Sequence, residues 1–154
     1  MTAGAAVAEL LSLLVLYAAD QLSKLAAIRC LAGTDGLRLL PGVFELQYVE
    51  NRGAAFGMLE GRRWLFILFT LAVTAALAWY LRKTPAEHRS LRLRAGVVLV
   101  AAGAFGNLTD RILRGFVVDF LYVALIDFPV FNLADICICV GLALLLWDAL
   151  IPAD

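Results

Sequence analysis

Hydrophobic residues are concentrated in four segments of the chain, each long enough to cross a bilayer as an α-helix. A helix needs about 20 apolar residues to cross the hydrocarbon core, which is ~30 Å thick. The pattern predicts transmembrane helices at about 4–28, 64–81, 95–113 and 133–150. Aromatic residues lie at the ends of the second segment, as interfacial anchors do, and they are Trp64, Trp79 and Tyr80.

Polar and apolar positions alternate between the first two predicted helices. One face of this segment would carry Phe44, Leu46 and Tyr48, and the opposite face Glu45 and Gln47. This alternation is typical of a strand, and the preceding Leu39-Leu40-Pro41-Gly42 is typical of a turn. Because an open strand cannot lie in lipid with unsatisfied backbone groups, we expect a small extracytoplasmic β-element over about 38–58, at the membrane surface.

The composition supports a membrane protein and argues against a nucleic-acid partner. The 154 residues are 63% hydrophobic, with a mean hydropathy of +0.88, whereas soluble domains are about half apolar. There are 13 basic and 13 acidic residues, and a nucleic-acid-binding chain would carry a basic surplus. The predicted fold class is membrane all-α: four transmembrane helices with a small β-element, in a single domain over 1–154.

The cysteines and the histidine predict neither a disulfide framework nor a metal site. Cys137 and Cys139 are two positions apart, so on a helix they point to different faces. Cys30 makes the count odd, and His88 lies far from all three in sequence. We therefore interpret the cysteines as small buried or lipid-facing residues. The first apolar segment lacks a basic start and a cleavage site, so we expect a retained membrane helix and not a signal peptide.

Charge density between the second and third predicted helices indicates the orientation of the chain. Five basic residues lie there: Arg82, Lys83, Arg89, Arg92 and Arg94. Such clusters favour the cytoplasm. Arginines also lie on the opposite side, so the number of basic residues alone does not fix the orientation. Their higher density between the second and third helices predicts that both termini are cytoplasmic.

Polar residues inside the predicted helices occur at three places that must face the same side of the membrane. Because successive helices alternate in direction, the ends of the first and third helices and the start of the fourth share one leaflet. The polar residues at these places are Asp20, Lys24, Asn107, Asp110, Arg111, Asn132 and Asp135. Ionisable groups in a membrane segment need a partner or a purpose, because their insertion costs several kcal/mol. We therefore expect these residues to converge.

Several of these groups also have a purely structural interpretation. Asp20 and Lys24 have the spacing of a helical ion pair, and structural and functional roles are equally open for them. Asp110 and Arg114 are four positions apart and share a helix face. Arg111 shares a helix face with Asn107; it could reach the interface as a snorkelling side chain or clamp a carbonyl or carboxylate. Residues 51–57 could form a surface turn or allow close approach of a ligand.

Two aspartates have contrasting local sequences. Asp119 lies in the apolar run Phe116–Phe120, so its pKa should be raised. Asp135 would be the third residue of a helix capped by Asn132, which is a capping box and also a position where the helix dipole favours the anion. A pair of acids with opposed preferences suits acid–base chemistry, and two close carboxylates titrate as a pair. Asp127 looks like an ordinary loop acid.

Five motifs occur in order along the chain: DQLSK at 20–24, NRGAAFG at 51–57, GAFGNLTDR at 103–111, VVDF at 117–120 and FNLAD at 131–135. Together they resemble the bacterial prolipoprotein signal peptidases (signal peptidase II). No serine–histidine arrangement, phosphate loop or HExxH motif competes with this resemblance.

The resemblance implies a globomycin-sensitive aspartyl peptidase of the cytoplasmic (inner) membrane, with its active site towards the outer face. Such an enzyme removes the signal peptide on the amino side of a cysteine that carries diacylglycerol, without a cofactor or a metal. It implies Asp119 and Asp135 as the catalytic pair, with Asp135 as the base in our hypothesis. The substrate-binding residues would be Asn51, Gly53, Asn107, Arg111 and Asn132, and the supporting polar residues Asp20, Lys24 and Asp110. The expected partners are a lipidated prolipoprotein and membrane lipid, and the chain is expected to be a monomer.

Two other classes of protein are compatible with parts of the pattern. A transporter also uses intramembrane acids, but four helices without an internal repeat make a poor carrier unless the chain oligomerises. A small scaffold subunit would not need two acids in opposed environments.

Overall fold

The computed structural model describes residues 3–53 and 61–151, and these contain the four predicted helices. We name them α1 (Ala3–Leu31), α2 (Arg63–Lys83), α3 (Leu91–Leu113) and α4 (Leu133–Leu150). Each is long and apolar enough to cross a membrane. The predicted bounds were short by three residues at the end of α1 and by two at the end of α2, and they match α4.

Helix α3 begins four residues before its predicted start at Ala95, at Leu91. The Ser90 hydroxyl accepts a hydrogen bond from the Leu93 amide at 3.0 Å and caps the helix. The first turn is also tied to other helices, because Arg92 pairs with Asp148 at 3.6 Å and Arg94 pairs with Glu9. The prediction that the five basic residues form a loop was therefore wrong in part, since Arg82, Lys83, Arg92 and Arg94 belong to helix ends.

Helix α3 is the centre of the bundle and contacts each of the other three helices. It approaches α4 closely because glycines face each other along the contact. A Cβ on Gly96 would lie 2.8 Å from Leu145 Cγ, and one on Gly141 would lie 2.7 Å from Val100 Cγ2. Small residues give membrane helices this close approach, and here it brings the polar end of α3 against the start of α4.

The β-element is a three-stranded antiparallel sheet in the order β1-β2-β3, formed by β1 (Leu37–Leu40), β2 (Phe44–Asn51) and β3 (Val117–Tyr122). The predicted turn between β1 and β2 is confirmed by a hydrogen bond of 2.9 Å from the Val43 amide to the Leu40 carbonyl. Gly42 has φ +72° after Pro41, as the third residue of a type II turn requires. The part of the predicted β-element beyond Gly53 lies outside the described residues.

Strand β3 was not predicted, because an apolar run of this length has no periodicity of its own. Its pairing with β2 decides the position of the candidate site, since Asp119 lies opposite Val49 and Val117 lies opposite Asn51. One face of the sheet packs on the last turns of α1, where Ala27 and Leu31 form a buried cluster with Val118 and Phe120. Leu46 and Tyr48 pack against this cluster, as the alternation in β2 predicted.

Candidate active site

Lys24 is the centre of a buried ionic cluster that joins α1 to α3. Its side chain is fully buried, and an ammonium group has three hydrogens to donate. Three oxygens surround Nζ: Asn107 Oδ1 at 2.9 Å, Asp20 Oδ2 at 3.0 Å and Asp110 Oδ2 at 3.3 Å. Every donor of the buried cation therefore has an acceptor, and the predicted pairing of Asp20 with Lys24 is confirmed.

The two acids of this cluster also hold the other elements in place. Asp20 Oδ1 accepts the Ala134 amide at 3.0 Å, in the first turn of α4. Asp110 Oδ2 accepts the Val118 amide of β3 at 3.1 Å, and its Oδ1 pairs with Arg114. The predicted convergence of polar residues at one end of the bundle is thereby confirmed, and the cluster fixes both elements that carry the candidate catalytic aspartates.

Asp119 is almost completely buried, at 2% exposure, and its hydrogen-bond partners are side-chain amides. Asn51 Nδ2 donates to Oδ2 at 2.9 Å, and Asn132 Nδ2 donates to Oδ1 at 2.6 Å. Burial away from water raises the pKa of Asp119 to about 6, and the neighbouring charge of Asp135 acts in the same direction, while the two amide hydrogen bonds oppose the rise. The predicted direction of this pKa shift is confirmed.

Asp135 occupies the first turn of α4 in the capping box that its spacing predicted. The Asn132 side chain accepts the Asp135 amide at 3.0 Å, and Asp135 Oδ2 accepts the Asn132 amide at 3.1 Å. Asp135 Oδ1 accepts a further hydrogen bond from Asn107 Nδ2 at 2.8 Å. Asp135 is partly exposed, unlike Asp119, so the pair has one deep and one accessible member.

The amides of Asn107 and Asn132 have fixed orientations, and both direct an NH₂ group at an aspartate. The Lys24 ammonium can only donate, so Asn107 turns its oxygen towards Lys24 and its nitrogen towards Asp135. The capping box takes the oxygen of Asn132, which leaves its nitrogen for Asp119 Oδ1. That nitrogen also donates to Asn107 Oδ1 at 3.2 Å. One chain of hydrogen bonds therefore runs from Lys24 to both aspartates.

The segment that follows β2 places a third amide and a cation beside the pair. Asn51 Oδ1 accepts the Gly53 amide at 3.0 Å, which directs Nδ2 at Asp119. The Arg111 guanidinium lies 4.8 Å from the centre of the Phe66 ring and donates to the Gly53 carbonyl at 3.4 Å. Arg111 thus contacts α2 through a cation–π interaction, and its role as a clamp stays a prediction. Residues 54–57 of the NRGAAFG motif lie outside the described residues.

Sequence reasoning missed Gln21 and Phe66 as parts of this region. Gln21 Nε2 donates to Asp20 Oδ2 at 3.0 Å and to the Gly106 carbonyl at 3.2 Å. Its place within the DQLSK motif was a usable signal, whereas nothing in the sequence pairs Phe66 with Arg111. Asp127, in contrast, is exposed and accepts the Tyr122 hydroxyl at 2.6 Å, as expected of a loop acid.

The cysteines are free, with Cys137 buried and Cys30 and Cys139 exposed on the helices. Over 3–53 and 61–151, no group of three or more His, Cys, Asp or Glu side chains is placed to hold a metal ion.

Residues 12–151 match the family model described as signal peptidase (SPase) II. The chain belongs to the signal peptidase II family. It is 43% identical over 134 residues to the lipoprotein signal peptidase of Symbiobacterium thermophilum, covering 86% of this chain and 87% of the relative. It is also 43% identical over 142 residues to the lipoprotein signal peptidase of Pseudoalteromonas translucida, covering 88% of this chain and 84% of the relative.

A solved bacterial membrane enzyme, determined by the in meso method at 1.9 Å, has the same fold as this chain. The TM-score is 0.83 at 29% identity, over 95% of this chain and 94% of the other. The family match spans all five motifs of the sequence, so the resemblance read from those motifs is confirmed.

Proposed function

We propose that this chain is an aspartyl endopeptidase that removes the signal peptide from bacterial prolipoproteins, with Asp119 and Asp135 as its catalytic pair. The cut falls on the amino side of the diacylglyceryl-modified cysteine. One observation carries the proposal: two aspartates from different elements are bridged by Asn132, which donates its side-chain NH₂ to Asp119 and its backbone amide to Asp135. Within the described residues, neither aspartate forms an ion pair.

The pair supports hydrolysis of a peptide bond without a covalent intermediate. Asp135, the more accessible member, takes a proton from water as the water oxygen attacks the scissile carbonyl carbon. Protonated Asp119 gives its proton to the carbonyl oxygen, and a tetrahedral diol forms. The diol then returns a proton to Asp119 while Asp135 gives its proton to the leaving nitrogen, so the C–N bond breaks into an acid and an amine. The raised pKa of Asp119 supports its role as the acid.

The residues around the pair suit a peptide in extended form. Arg111 is held over Phe66 beside the Gly53 carbonyl, where its remaining donors can bind a substrate carbonyl. Asn51, Gly53 and Asn132 border Asp119. We propose that the sheet clamps the substrate from outside, while its lipid chains remain in the bilayer.

We further propose that both termini are cytoplasmic and that the site opens towards the outer face of the cytoplasmic membrane. The basic residues at the end of α2 and the start of α3 lie at the opposite end of the helices from the aspartates, and basic helix ends favour the cytoplasm. The chain works as a monomer without a metal or organic cofactor, and globomycin inhibits it.

The decisive experiment is a gel-shift cleavage assay with a lipidated prolipoprotein and the purified enzyme. Asp119→Asn and Asp135→Asn, tested separately, should each lower the cleavage rate by roughly 10²–10⁴-fold, the range for loss of an acid–base group. Asp127→Asn is the matched control, because it removes an exposed carboxylate from the loop after β3 and should keep the wild-type rate.

Near-wild-type cleavage by either the Asp119→Asn or the Asp135→Asn variant would contradict the aspartyl mechanism. A strong chelator should leave the rate unchanged, and loss of activity on chelation would point to a metal-dependent reaction. Cleavage of an unlipidated precursor at the same rate would leave the aspartyl mechanism in place but contradict the proposed substrate.

A further inference from the structure

Five large apolar side chains are exposed at the end of the sheet that lies farthest from the candidate catalytic pair. They belong to the β1–β2 turn region and to the short helix Ala124–Ile126 after β3. We call them the apolar tip: Leu39, Leu40, Val43, Leu125 and Ile126. Each is between 42% and 68% exposed. None lies on a transmembrane helix, so the bilayer does not cover them simply because a helix spans it.

The two segments of the apolar tip are held together by the backbone. The Leu125 amide donates to the Val43 carbonyl at 3.4 Å, and the type II turn at Pro41-Gly42 fixes the chain on the other side of Val43. The pairing of the two strands is irregular between Arg38 and Leu40, as in a β-bulge, which re-aims side chains at the end of a hairpin. The apolar tip is therefore a defined surface of the fold.

The depth of the sheet follows from its packing on α1. Val118 and Phe120 pack on Ala27 and Leu31, which belong to the last turns of the membrane span Gly4–Leu31. The sheet thus lies beside the end of a transmembrane helix, at the boundary of the bilayer. From Val49, opposite Asp119, to Val43 there are six residues, so the apolar tip reaches roughly 20 Å from the site along the strand.

The chemistry of the apolar tip fits lipid. Its members carry no charge or hydrogen-bonding side chain, and they are flanked in sequence by the exposed charges of Arg38 and Asp127. Apolar side chains next to charged ones are typical of segments that lie in the interface of a membrane. Both segments of the apolar tip are close in sequence to a membrane span, because β1 starts six residues after α1 and α4 starts seven residues after Ile126.

We infer that the apolar tip inserts into the acyl–glycerol boundary of the leaflet that faces the candidate active site. The inserted tip holds the sheet flat on the bilayer and so fixes the height of β3, and of Asp119 on it, above the membrane. This contact is separate from the four membrane spans and does not rest on the proposed catalytic activity.

Spin labels on the full-length enzyme in nanodiscs of phosphatidylglycerol and phosphatidylethanolamine test the inference. The exposed thiols are removed by Cys30→Ala and Cys139→Ala, while buried Cys137 is kept because it is shielded from the label. Labels are placed through Leu40→Cys and Leu125→Cys in the apolar tip. The matched control is Glu50→Cys, an exposed position at the other end of the same sheet.

At the apolar tip, collision of the label with oxygen, which concentrates in acyl chains, should exceed collision with a water-soluble nickel chelate several-fold. The order should be reversed at Glu50. Equal access of the chelate to all three labels would overturn the inference. Dipolar broadening at the apolar tip that grows with protein density would show that a second copy covers it. Shielding that appears only when lipidated prolipoprotein is added would make the tip a substrate surface, and either result contradicts lipid insertion.

Discussion

Among the residues that the structure describes, four aspartates that are not exposed lie at one end of the helix bundle, and their partners divide them into two pairs. Asp20 and Asp110 share the Lys24 ammonium, and Asp110 also pairs with Arg114. Asp119 and Asp135 instead receive hydrogen bonds from neutral amides, and Asn107 donates to one while Asn132 donates to both. The two pairs are thus the same residue type in different electrostatic settings.

The difference shows what each pair can do. A buried carboxylate that faces a cation has its charge compensated inside the protein, and removal of the cation leaves that charge without a partner. A buried carboxylate whose partners are all neutral amides recovers only part of the free energy that it lost on leaving water. The charged form is therefore less strongly favoured, and the group can gain or lose a proton during a reaction. Asp119, with its pKa raised to about 6 by burial, belongs to this second group. The ionic pair is suited to structure, and the amide-bound pair to proton transfer.

The largest effect on stability should come from removing the cation of the first pair. Lys24→Met leaves Asp20 and Asp110 buried without their shared ammonium, and we expect a loss of roughly 3–5 kcal/mol in the free energy of unfolding. The measurement is a detergent-unfolding titration of the purified protein. Asp135→Asn is the matched control from the second pair. It should lower the cleavage rate but cost less unfolding free energy than Lys24→Met, because it loses one accepted hydrogen bond and no ion pair. If Lys24→Met had the same free energy of unfolding as the wild type, the structural role assigned to the ionic pair would be wrong.

A smaller loss should follow from displacing Asp20 while its charge is kept. A Cβ at position 106 would overlap Asp20 Oδ2 and lie 3.3 Å from the Ala134 Cβ. Gly106→Ala should therefore cost about 1–3 kcal/mol in the free energy of unfolding, as overpacked cores do. Gly4→Ala, where no atom lies within 4 Å of the new Cβ, should be neutral or slightly stabilising. Equal thermal melting of the two variants would show that the ionic pair tolerates displacement.

The smallest predicted effect concerns the position of a pH profile. The mechanism needs protonated Asp119, so the alkaline limb of kcat/KM should fall as the pH rises through the pKa of Asp119, about 6. The hydrogen bond from Asn51 favours the carboxylate and lowers this pKa. Asn51→Ala should raise it and move the alkaline limb of kcat/KM to higher pH, whatever happens to the maximal rate.

Asp127→Asn should leave that limb in place, because Asp127 bonds the exposed Tyr122 hydroxyl and does not contact Asp119. An unchanged limb in Asn51→Ala, or a limb at lower pH, would mean that the amide does not set the protonation of Asp119.

Features that depend on local spacing could be predicted from the sequence. Four apolar segments predicted four helices, since the length needed to cross a bilayer is fixed by the bilayer itself. The spacing of Asp20 and Lys24 predicted a helical ion pair, and the spacing of Asn132 and Asp135 predicted a capping box; the structure contains both. The alternation of polar and apolar residues in β2 predicted the face of the strand that packs on the buried cluster, with Leu46 and Tyr48. Each of these involves residues within four positions of one another or a simple repeat.

Pairings between distant segments were decided only by the tertiary structure. Strand β3 exists because β2 offers it an edge, and its register sets Asp119 opposite Val49. Lys24 contacts Asp110 and Asn107 because α1 packs beside α3. Phe66 contacts Arg111 because α2 also packs beside α3. The alternation of helix direction predicted that the polar residues share one end of the bundle, but it could not assign which acid faces a cation and which faces an amide. That assignment depends on distances of about 3 Å between side chains from different elements, and only the packed fold sets them.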